Sequence, residues 1–444
     1  MMRWQLHGDG KTIRPGEVVR PDERLSAGRM LGISVQHVLT MFGGTVLFPL
    51  LIGLPFGTAV FMSGVGTLLF FAVVRGRIPS YLGSSAAIIG PAFAIYGQGG
   101  SVAEVTGAML VTGVVLMGVG ALVHAVGART LHTWLPPLVT GTVVMLIALN
   151  IAPILGDFWT KDQTMAIVTL IVVVVLSWRL QGFLSRLAVL LTIVIGYALS
   201  WAADGIWGPL SGTVDGETVS YDRVDWSKVG DAAWFALPDF AAPSFSWSAI
   251  VVVLPIVVVL LAENIGHVKA VAEMTGTDLD SSMGRAIIGD GAATALSAAV
   301  GGSATTTYAE NIGVMAASRV YSSLAYVLAG VMAMALGCSP KLGAVIYAIP
   351  GGVIGGILVY LVGLIAVIGA RTWIDNGVDL HEPKNYIPAA VGLCLGTGSL
   401  GLVYGDFFLG GVALGTFLTI VLHRLIARTS GPVAPSTDAE GAAA

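Results

Sequence analysis

The sequence predicts an all-α protein that crosses a membrane many times, and three observations carry that prediction. Only 11% of its 444 residues are charged while 55% are hydrophobic, against roughly 25% charged in an ordinary soluble domain. Charge-free stretches recur at about the 20 residues that a spanning helix needs. The basic residues between those stretches fall on alternate sides of the membrane. There are too few charges to cover a water-facing surface of this size. This excludes a disordered chain, a nucleic-acid binder with a basic face and an ordinary soluble enzyme. A net charge of −4 implies no bulk electrostatic partner, and two cysteines, Cys338 and Cys394, are too few for a disulfide framework.

The elements follow in order. Val38–Val74 carries no charge but is interrupted at Gly53–Gly57, which reads as two helices joined by a tight turn. Ile78–Ala103, Val105–Val123, Thr133–Gly156, Gln163–Trp178 and Leu187–Ala203 follow. Beyond a long polar connection come Ser244–Ala262, Ala286–Val300 (broken only by Asp290) and Val320–Ser339, then Leu342–Ala370, Asn385–Gly405 and Phe407–Leu422. With the Gly- and Thr-rich segment Ser303–Ala317 counted as a span, the total is fourteen. Placing the N-terminus in the cytoplasm and alternating sides puts eighteen of the twenty-two Lys and Arg residues inside, Arg179, Arg186, Lys269 and Arg319 among them. Only Lys161, Arg223, Lys228 and Lys341 stay outside. That bias supports an even count with both termini cytoplasmic, in the inner membrane.

Residues 1–30 read as a cytoplasmic N-terminal segment without a cleavable signal, 204–246 as an external loop that caps the protein or holds short strands, and 428–444 as a disordered tail. A weak internal repeat relates Leu31 to Ala249, 218 residues apart, and Leu82–Ala87 to Gly302–Thr307, 220 apart. Seven spans per half is an odd number, so the halves are inverted in the membrane. Inverted repeats with helices broken at matching places mark transporters. The freed backbone groups at such breaks are tolerated where they line a cavity or hold a ligand.

An ionisable residue at mid-membrane costs about 2.5–3.5 kcal/mol, so each one calls for a reason. Glu263 and His267 are spaced i, i+4 and stack on one helix face. Glu310 lies inside the second broken segment. The trio reads either as a buried ion pair between helices or as a site for a ligand and a proton, since a desolvated carboxylate and an imidazole both exchange protons near neutral pH. His37 reads as a structural hydrogen-bonding residue, Asp290 as a helix-to-helix hydrogen bonder, and Tyr308 either as a stacking surface or as core. His124, His132 and His423 read as interfacial. No cluster suited to a metal or cofactor and no nucleophile–base pair is evident, so no catalytic residue is assigned.

Four motifs in sequence carry a family resemblance. Gln36-His37 followed by Met41–Pro49, Pro79–Ser85, Ala262–His267 and Thr306–Arg319 resemble the first, third, eighth and tenth spans of the nucleobase–ascorbate transporter family, nucleobase:cation symporter 2. The match runs from about Leu31 to Arg428, nearest to the bacterial uracil:proton symporters.

The resemblance implies a 7+7 inverted repeat with short antiparallel strands in spans 3 and 10. It divides the chain into a core (31–126 with spans 1–4, 247–338 with spans 8–11) and a gate (127–203 with spans 5–7, 339–427 with spans 12–14). It further implies that Glu263 and Glu310 bind uracil, that backbone N–H groups at Ala86 and Ala309 reach its carbonyl oxygens, and that His267, with the two glutamates, couples proton movement. The implied product is a uracil importer working by alternating access, a homodimer through the gate, with lipid around it and no nucleic-acid partner. Ala86 stands where uracil-type members often have an aromatic residue, and Ala309 where they often have Gly. Xanthine or another nucleobase is therefore the alternative substrate, and an anion carrier of the same architecture a more distant one.

Uracil's own chemistry fits: it is neutral, with two N–H donors and two carbonyl acceptors. A neutral solute needs a coupling ion, and a proton is the simplest.

Overall fold

The structure is a computed structural model that describes residues 4–127, 135–214, 217–404 and 407–429. Arg129, His132 and nearly all of the tail assigned to disorder lie outside those residues. Among the described residues, eight helices are long and apolar enough to cross a membrane: Ala27–Leu51, Phe56–Val73, Val102–Val126, Pro137–Trp159, Ala188–Trp207, Trp247–Thr275, Gly351–Asp375 and Gly411–Thr429. Shorter helices fill the rest, including Ile89–Gly97, Gln163–Arg179, Asp280–Ala299, Ala309–Ser318 and Pro383–Thr397. Ser323–Gly337 is followed by Pro340–Tyr347 at a bend of 78°.

Local chemistry sets these boundaries. The expected turn after the first helix is present, with Gly53 at φ +73. Ser101 begins Val102–Val126 with a capping box: its hydroxyl accepts from the Glu104 N–H, and the Glu104 carboxylate accepts from the Ser101 N–H. Asp162 caps Gln163–Arg179, and Gly276 closes Ile256–Thr275 in the left-handed conformation. The first helix begins at Ala27 rather than near Leu31, and the last runs to Thr429, past the expected start of the tail. The long apolar stretch beginning at Leu342 is divided at Pro350, which has no N–H to continue a helix.

The helices pack in two sets. In one, Val102–Val126 lies along Asp280–Ala299, and Phe56–Val73 lies along Ser323–Gly337. In the other, Gly351–Asp375 packs on Pro137–Ile151 and Gln163–Arg179, and Pro383–Thr397 on Gly411–Thr429. Small residues allow the closest crossings: a Cβ on Gly64 would stand 2.3 Å from the Gly330 carbonyl oxygen, and one on Gly113 2.7 Å from that of Gly291.

Two peripheral segments hold short strands, as expected for 204–246 but not for the N-terminal segment. The N-terminal segment is a strap: Gln5–Leu6 pairs in parallel with Glu23–Arg24, and Val19 bridges to Val320. The Trp4 indole donates to Ser323 Oγ at 2.9 Å, and the Ser322 hydroxyl donates to the Glu23 carbonyl. In the external loop, Leu210–Val214 and Glu217–Tyr221 form a hairpin. Arg223 beyond it donates to Asp162 at 2.7 Å and to Asp204 at 2.9 Å. The second of these contacts holds Asp204 inside the helix Ala188–Trp207, which overruns the expected boundary at 203.

Candidate functional site

The centre of the molecule is a two-stranded antiparallel ladder, Leu82–Ser84 against Thr305–Thr307, with Leu82 opposite Thr307, Gly83 opposite Thr306 and Ser84 opposite Thr305. Every residue in it is buried. Its outer backbone groups are satisfied by side chains from neighbouring helices. Thr67 Oγ1 accepts from the Leu82 N–H at 3.0 Å, and Thr294 Oγ1 accepts from the Thr305 N–H at 3.0 Å. Unpaired backbone there would be prohibitive in an apolar surround.

Each strand leads into the N-terminus of a helix. Leu82–Ser84 runs into the 3-10 turn Ala86–Ile88 and then Ile89–Gly97, while Thr305–Thr307 runs into Ala309–Ser318. The first N–H groups of each helix, at Ala86 and Ala309, have no carbonyl of their own helix to bond. The positive ends of two helices thus meet at one level.

The helix Ile256–Thr275 supplies the side chains that face this junction. Glu263 Oε2 accepts from Thr306 Oγ1 at 2.7 Å. One turn on, His267 Nδ1 hydrogen-bonds Thr307 Oγ1. The ladder therefore anchors both residues by adjacent threonines. Glu310 lies in the first turn of Ala309–Ser318, the helix that follows the strand carrying Thr306 and Thr307.

Exposure separates the residues that face open space from those that do not. Glu310 and Ala309 are exposed, and Glu263, His267 and Ala86 are half-buried, although the ladder beside them is sealed. Exposure also marks Gly266, Lys269 and Glu273 toward the C-terminal end of the same helix. An open face thus runs from the broken helices along that side of the helix. It offers carboxylate oxygens as acceptors, an imidazole, and two backbone N–H donors, a set that matches a flat neutral ring carrying N–H and C=O groups.

Tyr308 is turned away from that open face. Its hydroxyl donates to the Ser84 carbonyl at 2.7 Å and accepts from Thr45 Oγ1 at 3.2 Å, and its side chain is 6% exposed. The ring fills the space that Gly44 and Gly83 leave free, so its place is in the frame of the ladder. His37 is fully buried: its carbonyl accepts from Asn311 Nδ2 at 3.0 Å, and its ring is tilted over Tyr326. That agrees with a structural reading. Asp290 is also fully buried, and its carboxylate is paired with the side chain of Asn264 on the adjoining helix, in keeping with a helix-to-helix role.

One residue near the site escaped the sequence reading. The charge pattern counts Arg186 among the cytoplasmic basic residues without setting its depth, and its guanidinium lies against Gly313, three residues beyond Glu310. Only Gly313, a glycine in a helix that starts next to a candidate site, hints at it in the sequence.

Residues 28–403 match the Xan_ur_permease model, described as a permease family. The chain belongs to this family, nucleobase:cation symporter 2. Similar proteins include RutG of Escherichia coli (strain K12), which is named as a pyrimidine permease, at 44% identity over 440 residues covering 97% of this chain and 96% of that one. The uracil permease of Bacillus caldolyticus is 37% identical over 424 residues, covering 91% and 93%. Among solved structures, SLC26A9 aligns with a TM-score of 0.62 at 15% identity; the alignment covers 90% of this chain and 64% of that one. At that identity the likeness concerns the fold alone. Family and fold together make this protein a multi-pass membrane transporter rather than an enzyme.

Proposed function

We propose that this protein is a proton-coupled symporter that imports uracil by alternating access. The observation that carries the reading is that Glu263, Glu310, His267 and the helix N-termini at Ala86 and Ala309 gather around one buried strand ladder, on its open side. The relatives named for uracil or pyrimidine support the substrate class.

In this reading the glutamates accept the ring N–H groups of uracil while the two helix N-termini donate to its carbonyl oxygens. Thr306 aims Glu263 and Thr307 aims His267. Tyr308 contributes by holding the ladder in register. With the site facing out, a proton taken up by the His267–glutamate cluster accompanies uracil, and the loaded site is close to neutral. A neutral site crosses the apolar gate without a large desolvation cost. On the inside the proton leaves, the carboxylate charge reappears and uracil departs.

The set built on the broken helices would be the core, and the set built on Gly351–Asp375 the gate. In this reading fourteen spans, the eight long helices and six of the shorter ones, cross the inner membrane with both termini cytoplasmic. A homodimer through the gate completes the reading.

An anion carrier is disfavoured because two carboxylates line the open face. The test is uptake of labelled uracil into proteoliposomes with and without an inward proton gradient, with xanthine, thymine and uric acid as competitors. Uptake indifferent to the gradient rejects the coupling, and no uptake of labelled uracil where labelled xanthine is taken up rejects uracil as substrate.

A further inference from the structure

Arg186 is the last residue of the short helix Gly182–Arg186, which connects Gln163–Arg179 to Ala188–Trp207 and packs against Ala309–Ser318. A Cβ built on Gly313 would stand 2.6 Å from Arg186 Cζ, 2.8 Å from Nε and 2.9 Å from Nη2, so only glycine admits the guanidinium at that place. Gly313 follows Glu310 by three residues and shares its helix face. The Arg186 charge is within electrostatic reach of the Glu310 carboxylate. Both side chains are exposed to open space, and among the described residues Arg186 makes no salt bridge. A neighbouring contact fixes the approach: a Cβ on Gly43 would stand 3.1 Å from Val189 Cγ1, so the start of Ala188–Trp207 is pressed onto the first helix.

Gly182–Arg186 packs on Gln163–Arg179 and Ala188–Trp207, which both pack on Gly351–Asp375, whereas Ala309–Ser318 packs on the first helix, which lies along Ser323–Gly337; Arg186 thus belongs to one helix set and Glu310 to the other. Their separation changes whenever the two sets move against each other. An ionised carboxylate crossing an apolar barrier is costly when unpaired, and a cation brought to it lowers that cost.

We propose that Arg186 is the counter-charge that pairs with ionised Glu310 once proton and substrate have left, and so permits the empty transporter to return. This rests on the uracil–proton reading for its cycle, but not for the contact itself. While the site is loaded, its carboxylates are neutralised by the proton or engaged with the ligand, and Arg186 is not needed. In the empty inward-facing protein, Arg186 draws Glu310 into a neutral pair that can be carried past the gate.

Net uptake requires the empty return, whereas exchange of uracil for uracil does not. Arg186→Gln in proteoliposomes is therefore expected to lower gradient-driven net uptake at least tenfold while exchange stays within twofold of the parent, and Arg186→Lys is expected to restore most of the net uptake. Equal losses in both modes, or no loss in either, overturn the proposal. The unmutated protein's own uptake tests the uracil reading separately.

A second measurement depends on no substrate. In a chain with Cys338 and Cys394 replaced by serine, Arg186→Cys with Gly313→Cys is expected to cross-link through a short bis-methanethiosulfonate reagent in inside-out vesicles. An excess of a transported base is expected to reduce that cross-link. Failure of the pair to cross-link at all overturns the proposal whatever the substrate is.

Discussion

Replacing Gly83 with Ala strikes the joint on which the site depends. The new Cβ would stand 2.3 Å from Tyr308 Cζ, 2.5 Å from Thr45 Oγ1 and 2.6 Å from Tyr308 Cε2. Carbon atoms settle at about 3.5–4.0 Å, so something must shift by roughly 1 Å or more. Tyr308 cannot swing away cheaply, because its hydroxyl is bonded to the Ser84 carbonyl and it is packed in a fully enclosed space. The strand gives way instead, carrying the Ala86 N–H with it. Overpacking of this kind costs about 1–3 kcal/mol of stability. A binding constellation tolerates only about 0.5 Å of displacement, so the loss of affinity should exceed the loss of stability. Purified Gly83→Ala in detergent is expected to melt a few degrees below the parent and to lose most of the thermal shift that uracil produces. Gly97→Ala, where a new Cβ meets nothing within 4 Å, serves as the control. Gly83→Ala with parental uracil affinity would falsify the claim that this ladder positions the site.

Four further outcomes are expected. Thr306→Val removes the hydroxyl that donates to Glu263; a hydrogen bond to a charged group contributes about 1.5–3 kcal/mol, so uracil affinity by isothermal titration should drop on the order of ten- to a hundredfold. Glu263→Ala should abolish uracil binding, and unchanged affinity would move the site elsewhere. Arg223→Met leaves Asp162 and Asp204 without their shared cation, and should lower the melting temperature without altering relative affinities among nucleobases. In the N-terminal strap, partial burial pushes the Glu23 carboxyl up, but hydrogen bonds from the Arg20 N–H and the His7 ring outweigh it and hold it below the usual carboxylate range. A depressed pKa stabilises the folded strap above the unfolded value of about 4.3, and that stabilisation is lost as pH falls through the folded value. Limited proteolysis should therefore cut the strap faster near pH 3.5 than at pH 7, and a rate that does not change with pH refutes the sign.

Membrane embedding, the positions of most helices and the existence of two broken segments were legible because each rests on a local pattern; the antiparallel pairing of those segments was implied only by the family resemblance. A charge-free run of spanning length has one good solvent, and a cluster of Gly, Ser and Thr within such a run cannot stay helical without a reason. The i, i+4 spacing put Glu263 and His267 on one face, and the structure keeps them there through Thr306 and Thr307. Family motifs, rather than any spacing, pointed to Ala86 and Ala309.

What the sequence could not decide was direction across space. Nothing local told whether Tyr308 would join the open face or the frame; Gly44 and Gly83, distant from it in sequence, opened the frame to its ring. Arg186 looked like one more inside-positive residue, because charge counting ranks loops by side and not by depth. Only the packing of Gly182–Arg186 onto Ala309–Ser318 brings it to Gly313. Likewise, the first thirty residues read only as a polar N-terminal segment, and it is the contacts of Val19 and Trp4 with Val320 and Ser323, some 300 positions away, that make them a strap. The sequence by itself determined the solvent, the helices and the chemistry available, since these follow from composition and short-range periodicity. Tertiary structure alone decided which groups share a site, because that depends on contacts between segments hundreds of residues apart.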